Sequence, residues 1–236
     1  MYTKSARFYD AIYHFKDYIE ASQRIHSLIQ QINPYARTLL DVGCGTGKHL
    51  ELWRETLQVE GLDLSPEMLE IARGRCPGVP FYQGNMVNFD LGHSFDVITC
   101  LFSSIGLVKT VKNMYTAVEN MARHLNPQGI LLIEPWFTPE NYWVGRLTAN
   151  FVDQPDLKIA WMYVSEIDGR VSITHINFMV GTPKGITHFT ERLENGLFTH
   201  EEYQDAFRRV DLEVEYNPVV LFNRGLYIGK KTAITK

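Results

Sequence analysis

The chain has 236 residues, of which 45% are hydrophobic and 21% charged, values typical of a single globular domain. Its net charge of −4 and pI near 6.1 argue against nucleic-acid binding, because phosphate contacts need a basic surface. With three scattered cysteines, no apolar leader and no run approaching ~20 apolar residues, we expect a cytoplasmic protein without a disulfide framework, metal site or membrane segment.

Short apolar runs alternate with amphipathic stretches over the first 135 residues. The amphipathic stretches predict helices at 18–32, 46–55 and 112–125, and a further helix that begins after the N-cap residue Ser65. The apolar runs predict strands at 38–42, 58–62, 79–82, 97–101 and 130–133. Such alternation is typical of a parallel sheet with helices on both faces.

The pattern becomes β-rich after Pro135. Strands are predicted at 159–167, 170–180 and 186–197, and Asp168-Gly169 is a hairpin signal between the first two. Thr199 and Glu202 form a capping-box pattern that predicts a helix, and closing strands are predicted at 212–216 and 226–229. We interpret 136–197 as an antiparallel layer inserted into one domain, 1–236, whose core is 1–135 and 198–236.

The first strand ends in a glycine loop with the spacing G-x-G-x-G, at Gly43, Gly45 and Gly47, preceded by Asp41. The dinucleotide fingerprint has the different spacing G-x-G-x-x-G, and Asp41 would repel a phosphate. The second strand ends at Asp63, whose carboxylate can accept both hydroxyls of a ribose. These residues follow parallel strands, so they should converge on one cleft at the carboxyl edge of the sheet.

The remaining residues predicted for this cleft suit a purine. Met68 and Met86 offer soft contacts to a flat ring, and the amide of Asn85 can pair with an adenine edge. A cation-binding acid at one end and a diol-binding acid at the other favour S-adenosylmethionine as the cofactor.

The motifs together resemble the class I S-adenosylmethionine-dependent methyltransferases. The resemblance rests on 39–47, 61–65, Met68-Leu69, 83–86, 100–106 and 134–137. Within this family, the chain is most similar to the N,N-dimethyltransferases of nucleotide-linked (dTDP) amino sugars in antibiotic deoxysugar pathways. This narrower resemblance rests on three further segments, Phe8-Tyr9-Asp10, Lys16-Asp17-Tyr18 and 223–227. It implies a doubly wound, mainly parallel, seven-stranded Rossmann-like α/β sheet, with the antiparallel β layer over the active site.

The resemblance also implies roles for individual residues. The cofactor-binding set is Tyr9, Tyr18, Asp41, Gly43, Cys44, Gly45, Gly47, Asp63, Leu64, Met68, Asn85, Met86, Leu101 and Ser103. The acceptor-binding set is Leu107, Trp136 and Arg224, with Arg224 a partner for a diphosphate. Two positions depart from the family: Asn85 replaces an aspartate, and Leu107 replaces an aromatic residue or histidine.

Methyl transfer from a sulfonium to an amine needs alignment more than a strong base. His188 is the predicted catalytic residue that would collect the proton, with His14, Glu134 and Glu166 as other candidates. Because Leu107 is apolar, an O- or C-methyltransferase acting on an apolar lipid or secondary metabolite is an alternative, as is a protein that binds S-adenosylmethionine without catalysis. The predicted partner is a small-molecule acceptor, with no nucleic acid and no membrane, and a homodimer stays open.

Overall fold

The computed structural model describes residues 3–219 and 224–231. Asn223, part of the segment 223–227 above, lies outside the described residues. Among the residues described, no helix is both long and apolar enough for a bilayer crossing.

Eleven strands and six α-helices make up the described fold. The strands are β1 Thr38–Val42, β2 Gln58–Asp63, β3 Phe81–Gln83, β4 Phe95–Cys100, β5 Leu125–Ile133, β6 Leu147–Gln154, β7 Leu157–Asp168, β8 Val171–Thr182, β9 Gly185–Gly196, β10 Leu212–Asn217 and β11 Leu226–Lys231. The helices are α1 Tyr9–Ile12, α2 Tyr18–Ile32, α3 Lys48–Trp53, α4 Pro66–Arg75, α5 Val111–Arg123 and α6 His200–Arg208.

Seven strands form one sheet in the order β10-β11-β5-β4-β1-β2-β3. The strands β3, β2, β1, β4 and β5 are parallel, whereas β11 is antiparallel to both of its neighbours. Along the chain, strands are added to one side of β1 as far as β3 and then to its other side from β4 onward. Ligands of open parallel sheets bind at such a switch point, here between β1 and β4. The predicted doubly wound, mainly parallel sheet is confirmed.

The helices cover both faces because neighbouring strand residues point to opposite sides. Leu40 packs with apolar residues of α5 and α6, whereas Leu39, the preceding residue, packs with residues of α2, α3 and α4. Both leucines are fully buried. These two clusters form the core and fix the carboxyl ends of the strands between them.

A second, four-stranded antiparallel sheet, β6-β7-β8-β9, follows β5. Its own core includes Trp161, Ile176 and Phe178, and Ile12 of α1 packs into it. Tyr9 of the same helix packs against Met68 of α4. The short helix α1 therefore lies between the antiparallel layer and the main sheet.

Several predicted elements match the structure closely. Helix 18–32 has the predicted bounds, Ser65 accepts a hydrogen bond from the Met68 N–H as an N-cap, and Thr199 and Glu202 form the predicted capping box. The sequence analysis missed β6, whose apolar residues follow no clear alternation, and α1, which is a single helical turn. The strand predicted at 130–133 is longer in the structure: β5 also contains residues 125–129, where Gln128 has φ +65° and the register with β4 shifts.

Candidate active site

The glycine loop between β1 and α3 makes a tight left-handed path. Gly43, Gly45 and Gly47 have φ values of +76°, +54° and +75°, which favour glycine. The N–H groups of Gly43 and Cys44 donate to the Leu62 carbonyl at 2.7 and 3.1 Å, so the loop is held against the end of β2. A Cβ at Gly43 would lie 2.7 Å from the Cβ of Ser104, which excludes a side chain there.

Two adjoining cavities, of about 40 and 210 Å³, lie along this loop and together form what we call the glycine-loop cleft. Both are lined by Tyr9, Gly43, Gly45 and Ser104. The smaller one adds Tyr18, Asp41, Cys44, Thr46, Lys48, His49, Leu101 and Phe102. The larger one adds Thr3, Asp63, Leu64, Ser65, Pro66, Glu67, Met68 and Leu107.

The two acids of the cleft differ in their surroundings. Asp41 is almost fully buried and accepts a hydrogen bond from Thr99 Oγ1 at 2.7 Å; burial raises its pKa to about 7, against the effect of that hydrogen bond. Asp63 is only half-buried, and its two oxygens accept the N–H groups of Gly45 and Ser65, each at 2.8 Å. Burial raises the pKa of Asp63 as well, and the backbone donors oppose the shift.

Aromatic side chains close the small cavity opposite the glycines. Tyr18 packs beside His49, with ring centroids 5.1 Å apart, and burial raises the pKa of its phenol. Burial lowers the pKa of His49 to about 3, so the ring, which shares a hydrogen bond of 2.8 Å with Ser22 Oγ, is neutral at physiological pH. The Lys48 ammonium lies 4.9 Å from the centroid of the Tyr18 ring. The small cavity thus holds one cation beside the carboxyl group of Asp41.

Four residues of the predicted cofactor set lie outside the described walls of the cleft. Gly47 serves as the N-cap of α3, and Ser103 faces the neighbouring cavity described below. Asn85 is exposed, and its side-chain oxygen accepts the Val87 N–H at 3.0 Å. Met86 comes close, because its Cε lies 3.9 Å from where a Cβ of Gly43 would be.

A cavity of about 540 Å³ separates the main sheet from the antiparallel layer, and we call it the interlayer cavity. It meets the glycine-loop cleft at Tyr9, Phe102, Ser104 and Leu107. From the main-sheet side it is lined by Tyr13, Phe15, Lys16, Ser103, Trp136 and Arg224. From the layer it is lined by Thr148, Asn150, Trp161, Tyr163, Thr174, Ile176, Leu193 and Asn195.

Two basic side chains, Lys16 and Arg224, lie on the main-sheet wall of this cavity. Arg224 Nη1 donates to Ser103 Oγ at 2.7 Å, and its guanidinium lies 5.0 Å from the centroid of the Trp136 ring. Lys16 is 8% exposed and packs on the ring of Phe102; burial lowers its pKa to about 6, although Glu134 acts to raise it. Burial likewise raises the pKa of Glu134, with Arg224 and Lys16 opposing the shift.

The structure brings the three predicted acceptor residues, Leu107, Trp136 and Arg224, to this cavity. His188 lies elsewhere: it is exposed on β9, whereas its neighbour Phe189 packs into the core of the layer. Strand side chains alternate between faces, so the His188 ring points away from the cavity. His14 and Glu166 are exposed as well.

Sequence reasoning missed the polar residues of the layer. Thr148 and Asn150 belong to β6, which was not predicted, and Thr174 and Asn195 were not assigned a role. Thr174 and Ile176 are two residues apart, and so are Leu193 and Asn195. This spacing places each pair on one face of its strand, and it was the signal available in the sequence.

Comparisons with known proteins agree on one type of enzyme. A family model described as a methyltransferase domain matches residues 39–129. The chain is 39% identical, over 95% of its own length and 91% of the relative, to dTDP-4-amino-2,3,4,6-tetradeoxy-D-glucose N,N-dimethyltransferase of Saccharopolyspora spinosa. It is 37% identical, over 95% and 89%, to dTDP-3-amino-3,6-dideoxy-alpha-D-glucopyranose N,N-dimethyltransferase of Streptomyces fradiae.

A solved structure extends the likeness to three dimensions. The SAM-bound structure of CalS10, an amino pentose methyltransferase of Micromonospora echinaspora, aligns with a TM-score of 0.88 and 38% identity. The alignment covers 95% of this chain and 97% of that one.

Proposed function

The chain belongs to the methyltransferase family of the dTDP-amino-sugar N,N-dimethyltransferases, and from this premise we propose that it methylates the amino group of a nucleotide-linked amino sugar, with S-adenosylmethionine as the methyl donor. The observation that carries the proposal is the meeting of two cavities. The glycine-loop cleft has the residues that would bind the cofactor, and it meets at Tyr9, Ser104 and Leu107 a larger cavity that is lined by both apolar and polar side chains.

The residues of the cleft fit S-adenosylmethionine from end to end. Asp41 and Lys48 would bind the ammonium and the carboxylate of its amino-acid part. Asp63 would accept the ribose hydroxyls, and Met68 would contact the adenine. When bound, the cofactor supplies an electrophilic methyl group on a sulfonium. Gly43 and Gly45 would let the backbone approach it closely.

The interlayer cavity suits an anionic, hydroxyl-rich acceptor. Arg224 gives one part of its wall positive charge, as a diphosphate requires, and Trp136 lies beside the guanidinium. Across from them, the polar side chains of Thr174 and Asn195 face the cavity and can bind sugar hydroxyls. An apolar lipid would leave these groups desolvated and unpaired, which is costly.

We propose that catalysis relies on alignment. Among the described residues that line the interlayer cavity there is no histidine and no carboxylate. The acceptor amine would enter in its neutral form, and its proton would pass to water after transfer, directly or by way of the buried Lys16 amine. Tyr9 and Leu107, at the junction of the cavities, would hold the amine in line and exclude solvent there. Orientation of this kind can contribute ~7–11 kcal/mol to lowering the barrier.

The test is a transfer assay with the purified chain, radiolabelled S-adenosylmethionine and four acceptors: a dTDP-3-amino sugar, a dTDP-4-amino sugar, a dTDP-sugar without an amine, and an apolar phenol. We expect label on one or both amino sugars, with product masses that show one and then two added methyl groups. Turnover of the phenol alone would contradict the proposal in favour of an O-methyltransferase. Cofactor binding without turnover of any acceptor would favour a non-catalytic protein.

A further inference from the structure

The loop after β4 has an unusual backbone at the point where the two cavities meet. Phe102 and Ser103 are consecutive residues with φ values of +51° and +62°. Side chains disfavour this left-handed region, so two such residues in a row persist only when their surroundings hold them. Phe102 lines both the glycine-loop cleft and the interlayer cavity, so its conformation shapes both.

Glu134 is hydrogen-bonded to this turn. It follows β5, is 1% exposed, and its own N–H donates to the Cys100 carbonyl at 3.0 Å, which fixes it to the end of β4. Its Oε2 accepts the Phe102 N–H at 2.6 Å. The next residue of the turn, Ser103, donates its hydroxyl to the Pro135 carbonyl at 2.7 Å. The segment after β5 therefore binds both strained residues.

The second oxygen of Glu134 faces the basic side chains of the cavity wall. Oε1 is buried without a hydrogen-bond partner in the described part of the chain, and it lies 3.9 Å from Arg224 Nη1. Lys16 also interacts electrostatically with this carboxyl group. A buried carboxylate is costly unless it is paired, and the Arg224 guanidinium is the opposite charge that pairs it.

We propose that Glu134 is a positioning residue: its carboxylate holds the Phe102–Ser103 turn in its left-handed form and keeps Arg224 on the wall of the interlayer cavity. The effect of Glu134 on acceptor binding rests on the proposed function, whereas its effect on the Phe102–Ser103 turn does not. Glu134 does not line either cavity among the described residues, so it acts through Phe102, Ser103 and Arg224.

The direct test measures hydrogen exchange at the Phe102 amide. We would compare wild type with Glu134→Ala, which removes the acceptor, and Glu134→Gln, which keeps an oxygen for the Phe102 N–H but removes the charge. We expect fast exchange in Glu134→Ala and wild-type protection in Glu134→Gln. Wild-type protection in Glu134→Ala would overturn the proposal. This readout needs no turnover, so it decides the point even if no amino sugar is methylated.

Kinetics with a dTDP-amino sugar give a second readout. In Glu134→Ala we expect kcat to fall about tenfold to a hundredfold, because the loop at the reacting centre is misplaced, while cofactor affinity by calorimetry changes by less than about threefold. Glu134→Gln should recover most of kcat but raise the acceptor KM, because its neutral amide does not pair with Arg224. Glu119→Gln, on the exposed face of α5, is the matched control and should behave as wild type. An equal loss of kcat in Glu134→Gln and Glu134→Ala would contradict a positioning role.

Discussion

At the residue scale, two aspartates at the ends of adjacent strands have different uses. Each carboxylate oxygen of Asp63 accepts a hydrogen bond from a backbone N–H, one from Gly45 and the other from Ser65. A carboxylate has about four lone-pair sites, so acceptor capacity remains for the hydroxyls of a diol. Asp41 is buried beside Thr99 and is suited to stabilise a cation brought by the ligand.

The role of Asp63 gives the first prediction. Asp63→Asn removes the charge and one acceptor, and a hydrogen bond to a charged group contributes about 1.5–3 kcal/mol, so cofactor affinity should fall about 10- to 100-fold. The measurement is calorimetric titration with S-adenosylhomocysteine. Asp153→Asn, an exposed residue of β6 paired with Lys158, is the control and should bind normally. Equal affinity of the two variants would mean that Asp63 does not hold the ribose.

The raised pKa of Asp41 predicts a pH effect on stability. Between its unfolded pKa near 4 and its folded pKa of about 7, the folded state binds a proton that the unfolded state has lost, so stability falls as pH rises through this window. Asp41→Asn removes this dependence. Relative to wild type without cofactor, the variant should gain about 2–3 kcal/mol in free energy of unfolding between pH 5 and pH 8.

Urea unfolding at both pH values measures this difference. Thr38→Ser, a conservative change on the same strand, should leave the pH dependence as in wild type. The same Asp41→Asn change should weaken cofactor binding, because the neutral amide cannot balance the ammonium. A pH-independent difference between wild type and Asp41→Asn would show that Asp41 stays ionised throughout.

At the element scale, the segment that contains α1 ties the two sheets together. Asp10 accepts a hydrogen bond from Thr46 Oγ1 in the glycine loop at 2.8 Å and pairs with Arg75 of α4. On the other side, the backbone N–H groups of Lys4 and Ser5 donate to Glu191 of β9 at 2.8 and 3.1 Å. This places Tyr9 over the junction of the two cavities, so binding at the cleft depends on the segment being docked.

Asp10→Ala should loosen this segment. The ion pair is partly exposed, so we expect a loss of about 1 kcal/mol in docking free energy and a cofactor affinity about fivefold weaker. Limited proteolysis should cut the segment before α2 faster than in wild type. Glu20→Ala, which breaks an exposed ion pair with Arg24 on α2, is the matched control. Unchanged proteolysis and affinity in Asp10→Ala would refute the docking role.

At the scale of the whole molecule, the interlayer cavity belongs to neither sheet alone. Leu107 and Arg224 come from loops of the main sheet, whereas Thr174 and Asn195 come from strands of the layer. The layer stands over the carboxyl ends of the parallel strands because its strands follow β5 directly. Acceptor binding should therefore respond to changes in the layer that leave the cofactor cleft intact.

Asn195→Leu tests this separation. Loss of one or two hydrogen bonds to the acceptor should raise the acceptor KM about tenfold, since a hydrogen bond contributes about 0.5–1.5 kcal/mol, while cofactor affinity stays at the wild-type value. Asn177→Leu, exposed on the outer face of β8, is the control with the same chemical change. A wild-type acceptor KM in Asn195→Leu would place the acceptor outside this cavity.

The sequence alone was enough to predict the parallel sheet and the approximate bounds of most elements, and it gave the cofactor-binding set, which stays a prediction. Asp41, the glycines and Asp63 are local to strand ends, and the topology of a parallel sheet brings strand ends to one edge. Hydrophobic periodicity likewise identified α2, and the spacing of Thr199 and Glu202 identified the capping box of α6, because both depend on residues close in the chain. The homodimer and the division at 136–197 stay predictions.

Which side chains line the interlayer cavity became clear only from the packed structure. His188 and Asn195 lie on the same predicted strand, yet one is exposed and the other lines the cavity, because strand pairing and the position of the layer set which face looks inward. The contact of Glu134 with Phe102 and Arg224 joins three distant parts of the chain. Spacing along the sequence holds no signal for such contacts, since they arise only when separate strands and loops pack together.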